Sequence, residues 1–178
     1  MRAESWSERM EGVSPHNRKQ QLQAVAQRFG IDLVYAFGSQ AARIHQLFTE
    51  TTHKREGAPA NEPTAAFASD ADIGVVFTRG LPPAGRSRAD VYASLYNELA
   101  DLVRPLRLDL VFLQENHSVF QAEAIKGYCL YAVNNTTKEN FEEMVCRLAA
   151  DFRPFLRAYL LDALSGSCSR PWLLRNIE

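Results

Sequence analysis

The sequence predicts an α/β domain: a central mixed sheet flanked by helices and closed by one long C-terminal helix. Three observations carry that expectation. Apolar runs rich in β-branched and aromatic residues recur at 31–37, 72–77, 106–113 and 128–133. Between them lie stretches whose apolar residues return at helical spacing. After the last strand run comes an uninterrupted amphipathic stretch from 137 to 164. Strands alternating with helices make a layered fold in which both faces of the sheet are covered.

Residues 1–13 carry little pattern and are expected to form a flexible N-terminus. Ser14-Pro15 reads as a helix cap followed by proline at the first helical position, and Leu22, Val25, Ala26 and Phe29 continue that helix to Gly30. The run 31–37 is a buried strand that ends at Gly38-Ser39, and a helix follows over about 40–48. Residues 51–66 hold two prolines, a glycine and a cluster of charges, and read as an enlarged loop. The next strand is 72–77. A helix follows over 88–103, with Val91, Leu95, Leu99 and Leu102 on one face. The run 106–113 is expected to be a central strand, followed by a short helix at 119–126 and a short strand at 128–133. Thr137 is expected to open the final helix, whose stripe Phe141, Val145, Leu148, Phe152, Phe155, Tyr159 and Leu160 would either pack on the sheet and close the core or offer an amphipathic face to another protein. Pro154 lies inside it and is expected to kink it, because proline removes one intrahelical hydrogen bond. The domain is expected to span 14–166, with 167–178 as a tail.

The chain has 178 residues, 20 Lys+Arg against 21 Asp+Glu, and a formal net charge of -1, so no overall basic excess points to nucleic acid. Cys129, Cys146 and Cys168 form no zinc spacing; the first two are expected in the core, reduced. The N-terminal residues lack the apolar stretch of a signal peptide, and no run nears the roughly 20 apolar residues of a membrane span. The expected location is the cytoplasm.

The residues with chemistry lie at strand ends. A strand that ends in Gly38-Ser39 and turns into a helix can seat a phosphate on backbone N–H groups at the helix N-terminus, although the same pair also serves as a plain turn and cap. Asp70 and Asp72 sit two apart at a strand start, so both carboxylates point to one side. Side by side they repel, and a divalent cation relieves that repulsion. Asp109 interrupts the apolar run Leu108-Asp109-Leu110-Val111-Phe112-Leu113. In a central strand it needs a partner or a metal; at an exposed edge it could pair with Arg107 or another arginine. His16, His45, His53 and His117 have no metal-ligand spacing and are expected at the surface or in loops.

Together, Val34-Tyr35-Ala36-Phe37-Gly38-Ser39-Gln40-Ala41, Ser69-Asp70-Ala71-Asp72-Ile73-Gly74-Val75-Val76 and Arg107-Leu108-Asp109-Leu110-Val111 carry a resemblance. The sequence resembles the polymerase-beta-type nucleotidyltransferase superfamily, and more closely its minimal, single-domain MNT branch. The segment Gly127-Tyr128-Cys129-Leu130-Tyr131 and the long final helix also look like this branch, and the likeness covers about 20–164. Two departures stand out: the gap before Asp70 is enlarged over about 44–68, and Ala42-Arg43 follow Gly-Ser where the family often has Arg then Gly.

The resemblance implies the polymerase-beta-like fold and a chemistry. Asp70, Asp72 and Asp109 would hold two Mg²⁺ ions with ATP as substrate. Gly38, Ser39 and Arg43 would bind the nucleoside triphosphate, and Asp109 would orient or deprotonate the attacking hydroxyl. It also implies a partner. MNT-type proteins resemble the antitoxin halves of bacterial toxin–antitoxin pairs, whose usual partner is a HEPN-type toxin that they bind and adenylylate on tyrosine. The expected reaction is transfer of AMP from ATP to a protein hydroxyl, with neither nucleic acid as direct substrate nor a membrane as partner. Two alternatives remain: a non-catalytic antitoxin or adaptor acting by binding, and a small-molecule nucleotidyltransferase of the aminoglycoside-modifying kind.

Overall fold

The computed structural model describes residues 15–49 and 70–164. The expected flexible N-terminus at 1–13, the Ser14 cap, the enlarged loop at 51–66, and the tail at 167–178 lie outside those residues, as do His53 and Cys168. The order of elements is α1 (Pro15–Phe29), β1 (Ile31–Phe37), α2 (Ala41–Thr49), β2 (Ala71–Phe77), α3 (Arg86–Val103), β3 (Leu108–Phe112), α4 (Ser118–Ala124), β4 (Tyr128–Ala132) and α5 (Asn135–Leu164).

The four strands form one mixed sheet in the order β3-β2-β1-β4. β1 runs antiparallel to both β2 and β4, whereas β2 and β3 are parallel. The parallel pair is joined through α3, as parallel strands require a crossover. β1 is apolar along nearly its whole length because both its faces are covered. One face carries Val34, Ala36, Ile73, Val75, Leu108, Leu110 and Phe112 against residues of α1, α2 and α3 such as Leu22, Ile44, Leu95 and Leu99. The opposite face carries Leu33, Tyr35 and Val76 against Leu113, Ala124 and the partly buried Phe120, Ile125 and Phe141.

Several boundaries differ from those the sequence predicts. The run 106–113 is a strand only over Leu108–Phe112, because Leu113–Glu115 winds into a 3₁₀ turn. It is also an edge strand of the described sheet and not a central one. Its apolar character comes from Leu108, Leu110 and Phe112 on the face under the helices, with Val111 packed against the opposite cluster and Asp109 exposed. α5 opens at Asn135, two residues early, because the Asn134 side chain accepts a hydrogen bond from the Thr137 backbone N–H at 2.7 Å. His117 is a helix cap: its Nδ1 accepts from the Phe120 N–H at 3.1 Å and starts α4.

The larger correction concerns α5, which has 30 residues and stays helical through Pro154. It packs on α4, β1 and β4. Val145 and Ala149 are buried, but the expected stripe does not close the core. Leu148 (46%), Phe152 (40%), Phe155 (61%), Tyr159 (67%) and Leu160 (49%) stay exposed. The reason is length. At about 1.5 Å per residue the helix outruns the strands and the short α4 beneath it. Cys146, expected inside, is exposed because its neighbours Val145 and Ala149 take the inward positions. Cys129 is half-buried, and burial pushes its thiol pKa up.

Candidate active site

The sheet register brings the sequence motifs to one end of the strands. Asp72 pairs with Phe37, the last residue of β1, on one side. On the other side it pairs with Asp109 of β3. The flanking residues Ala71 and Ile73, and Leu108 and Leu110, belong to the core under α1–α3. Alternation therefore sends Asp72 and Asp109 to the opposite face of the sheet, side by side. There Asp72 is half-buried and Asp109 is exposed. The expectation that Asp109 is a carboxylate inside a central strand is thus corrected: it stands on the open outer side of an edge strand.

Asp72 feels this crowding. Burial raises its pKa above the ordinary carboxylate value, and the charges of Asp109 and then Asp70 raise it further. Tyr92 of α3 lies near the same acids. Its hydroxyl donates to the Leu110 carbonyl at 3.1 Å, and its pKa is raised by burial and then by the charge of Asp109.

Gly38 lies at the end of β1 with φ of 71°. A Cβ there would stand 2.1 Å from Asp72 Oδ2, so only glycine lets the carboxylate rest against the turn. The turn leads through Ser39 and Gln40 into α2, with the Ala41 N–H donating to the Gly38 carbonyl at 3.3 Å. The backbone thus changes direction directly beside Asp72. The turn between α4 and β4 closes on β1 in a similar way. A Cβ on Gly127 would stand 2.1 Å from the Ala36 carbonyl oxygen.

Asp70 and Arg43 are placed differently from Asp72 and Asp109. Asp70 precedes β2 by one residue, and both its oxygens are held by Arg107: Nε to Oδ1 at 3.1 Å and Nη2 to Oδ2 at 3.2 Å. Arg107 therefore pairs with Asp70 and not with Asp109. The sequence offered Arg107 as a partner for Asp109, two positions along the same side of the chain, and did not show that Asp70 of the neighbouring strand start takes it instead. Arg43 is exposed on α2, one residue before buried Ile44, and makes no ion pair among the described residues.

Among the described residues, no group of three His, Cys, Asp or Glu side chains stands close enough to hold a metal ion. The donor chemistry still fits a hard divalent cation. Asp72 and Asp109 offer carboxylate oxygens on one face, and their mutual repulsion is the electrostatic gap that a cation fills. No described helix is long and apolar enough to cross a membrane.

A parallel Asp-bearing strand pair beside a Gly-Ser turn is a nucleotidyltransferase arrangement, and the sequence bears this out. The pattern of the family described as Polymerase beta, Nucleotidyltransferase matches residues 20–136, and the chain belongs to that family. No curated protein matches the sequence significantly. Among solved structures, the fold is similar to a chain of the toxin-antitoxin MntA-HepT, with 15% identity, a TM-score of 0.51, and coverage of 83% of this chain and 97% of that one. It is similar to a chain of a toxin-antitoxin with AMP-PNP, with 16% identity, a TM-score of 0.53, and coverage of 82% and 98%. A mutant of the MntA pair gives a TM-score of 0.55 at 15% identity, covering 82% and 98%.

Proposed function

We propose that this nucleotidyltransferase moves AMP from ATP to a hydroxyl of a protein partner, and that the partner is a HEPN-type toxin which it neutralises as an antitoxin. The single observation that carries the chemistry is the register of Asp72 against Asp109 beside the Gly38 turn. Asp70, Asp72 and Asp109 would hold two Mg²⁺ ions. When bound, such ions offset charge on the attacking and leaving oxygens and orient the triphosphate. Ser39 and the backbone N–H groups entering α2 would bind the outer phosphates, with Arg43 reaching them from the first turn. Asp109, the most exposed of the strand acids, would orient the incoming hydroxyl and take its proton. Transfer of this kind needs positioning and electrostatics more than a protein nucleophile.

ATP as substrate draws support from the similar fold seen with AMP-PNP, and the partner from the similar fold found in MntA-HepT. The exposed far half of α5 supplies a surface for that partner. A groove of about 520 Å³ lies along it, lined by residues including His117, Gln121, Leu148, Phe152 and Phe155. Contiguous exposed apolar residues such as these often mark protein contacts.

The test is incubation with the toxin, ATP and Mg²⁺, read by intact mass of the toxin. Addition of one AMP supports transfer, and the Asp70→Ala, Asp72→Ala double variant should abolish it while keeping the fold. Full transfer by that double variant would sink the metal-site reading. A second reading, inhibition by binding alone, is favoured by one observation: the exposed apolar residues Phe155 and Tyr159 lie on α5, which packs on α4, β1 and β4 and not on the acid-bearing strands β2 and β3. Inhibition of the toxin without any mass shift would select it.

A further inference from the structure

Along α5, Leu148, Phe152, Phe155 and Tyr159 follow one another at intervals of four, three and four residues. This is the period of a seam that meets a second helix, with each apolar side chain set among those of its neighbour. Val145, one step earlier in the same series, is buried in a cluster with Ala122 of α4. The four later residues are exposed. The stripe thus begins as core and continues outward, and from Leu148 to Tyr159 it runs about 17 Å, three turns of helix.

Its inner end opens into the groove between α4 and α5, where the His117 and Phe152 rings lie 5.9 Å apart. Polar side chains on the α4 side of that groove are spent on the backbone. Gln121 Nε2 donates to the Leu113 carbonyl at 2.8 Å and to the Asn116 carbonyl at 2.7 Å. The Asn116 amide donates to the Phe112 carbonyl at 3.1 Å, and His117 Nδ1 accepts from the Phe120 N–H. Asp151 differs from these. It lines the groove from α5, is exposed, and its carboxylate makes no hydrogen bond or ion pair among the described residues. Neither Lys nor Arg lines the groove beside it. Arg153, two residues on, points about 200° around the helix from Asp151 and meets Glu123 of α4 at 3.7 Å.

An apolar notch with an unpaired acid at its rim selects an occupant by shape and by charge. On the reading that α5 docks the toxin, we propose that the stripe and groove receive one helix of that partner, which sets a large apolar side chain into the groove and an arginine or lysine against Asp151. The apolar seam supplies most of the affinity, and the ion pair fixes which way round the helix lies. A second copy of this chain fits less well. A two-fold contact lays the same patch on itself, and the groove lining offers an acid and no cation.

The experiment measures binding of the full chain to the HEPN-type protein by calorimetry at low and high salt. Melting by circular dichroism shows that each variant keeps its helices. Asp151→Asn should weaken binding about threefold to tenfold and Asp151→Arg by about tenfold or more, with the asparagine loss smaller at high salt. Changing the Lys and Arg residues on the exposed helices of the partner to Glu, one at a time, should find one change that weakens wild-type binding and restores affinity to Asp151→Arg. Binding unmoved by both Asp151 variants, yet lost in the Phe155→Glu, Tyr159→Glu double variant, overturns the helix-and-cation pairing and leaves the partner standing. Failure of every reversal to rescue Asp151→Arg overturns the pairing too. A wild type that does not bind the HEPN-type protein overturns the partner and the pairing together. A free chain that sizes as a dimer, and as a monomer in the double variant, gives the stripe to a second copy and overturns the proposal.

Discussion

The Asp72 carboxylate lies against the bare Cα of Gly38, so closely that a methyl group there would stand 2.1 Å from Oδ2. Two segments remote in sequence, the end of β1 and the start of β2, are thereby locked into one piece of the site.

Gly38→Ala should disable the site far more than the fold. The new Cβ must displace Asp72, and the φ of 71° adds backbone strain of about 1–2 kcal/mol. Transfer activity should fall at least tenfold, while thermal unfolding remains cooperative with a lower midpoint. Kinetics beside a melting curve checks both halves.

Asp72 also sets a pH dependence. Its pKa in the folded chain is raised above the ordinary value of 3.8, by burial first and then by Asp109 and Asp70. The folded state holds this proton more tightly than the unfolded state, so this group's contribution falls as pH rises from 3.8 through the folded value. The penalty then persists at neutral pH. Asp72→Asn should therefore raise the melting temperature of the metal-free protein at neutral pH, with the gain vanishing below 3.8. The same variant should lose Mn²⁺ binding. Melting curves across pH in the presence of a chelator give the sign.

Tyr35 is fully buried on β1 and donates to Glu142 Oε1 of α5 at 2.9 Å, and Glu142 in turn meets Lys138 Nζ at 3.2 Å. Burial holds the phenol well above its usual pKa, so it stays a donor at every working pH. Tyr35→Phe should cost about 1–2 kcal/mol, since it leaves a partly buried carboxylate oxygen short of a donor. Urea denaturation with an unchanged m-value would establish this, and activity should be unaffected.

Gly127 abuts the Ala36 carbonyl on β1. Because the obstacle is backbone, Gly127→Ala should destabilise by about 1–3 kcal/mol through forced separation of β4 from β1. Hydrogen exchange should show the loss concentrated in the β1–β4 ladder.

Phe155 and Tyr159 project from the far half of α5 at 61% and 67% exposure. Phe155→Glu with Tyr159→Glu should leave stability within about 0.5 kcal/mol, as for exposed positions generally. If the proposed partner docks there, the double variant should lose binding to the HEPN-type protein while its binding of ATP is unchanged. Co-elution with the toxin on size exclusion reads the outcome.

Elements with a single strong period were legible in the sequence. β1 matches the run 31–37, and α1, α2 and α3 lie within two residues of their expected bounds. Their signals are local: apolar spacing, a glycine stop, a turn after a strand. Ends set by caps and tight turns, which apolar spacing does not mark, were misplaced. The 3₁₀ turn after Phe112 and the Asn134 cap of α5 each depend on a geometry that periodicity does not encode.

The sequence by itself determined that two acids would stand at a strand start and that a glycine turn would follow another strand, because residues two apart in a strand share a face whatever surrounds them. It also determined the family, through the order of those short motifs. Only the tertiary structure decided which strand adjoins which, and hence that Asp109 faces Asp72 from the open edge, because register is a long-range pairing with no local signature. The tertiary structure likewise gave Arg107 to Asp70 and left the far half of α5 uncovered. Both outcomes depend on what lies beside a residue in space, and an apolar stripe looks the same in sequence whether it meets a core or solvent.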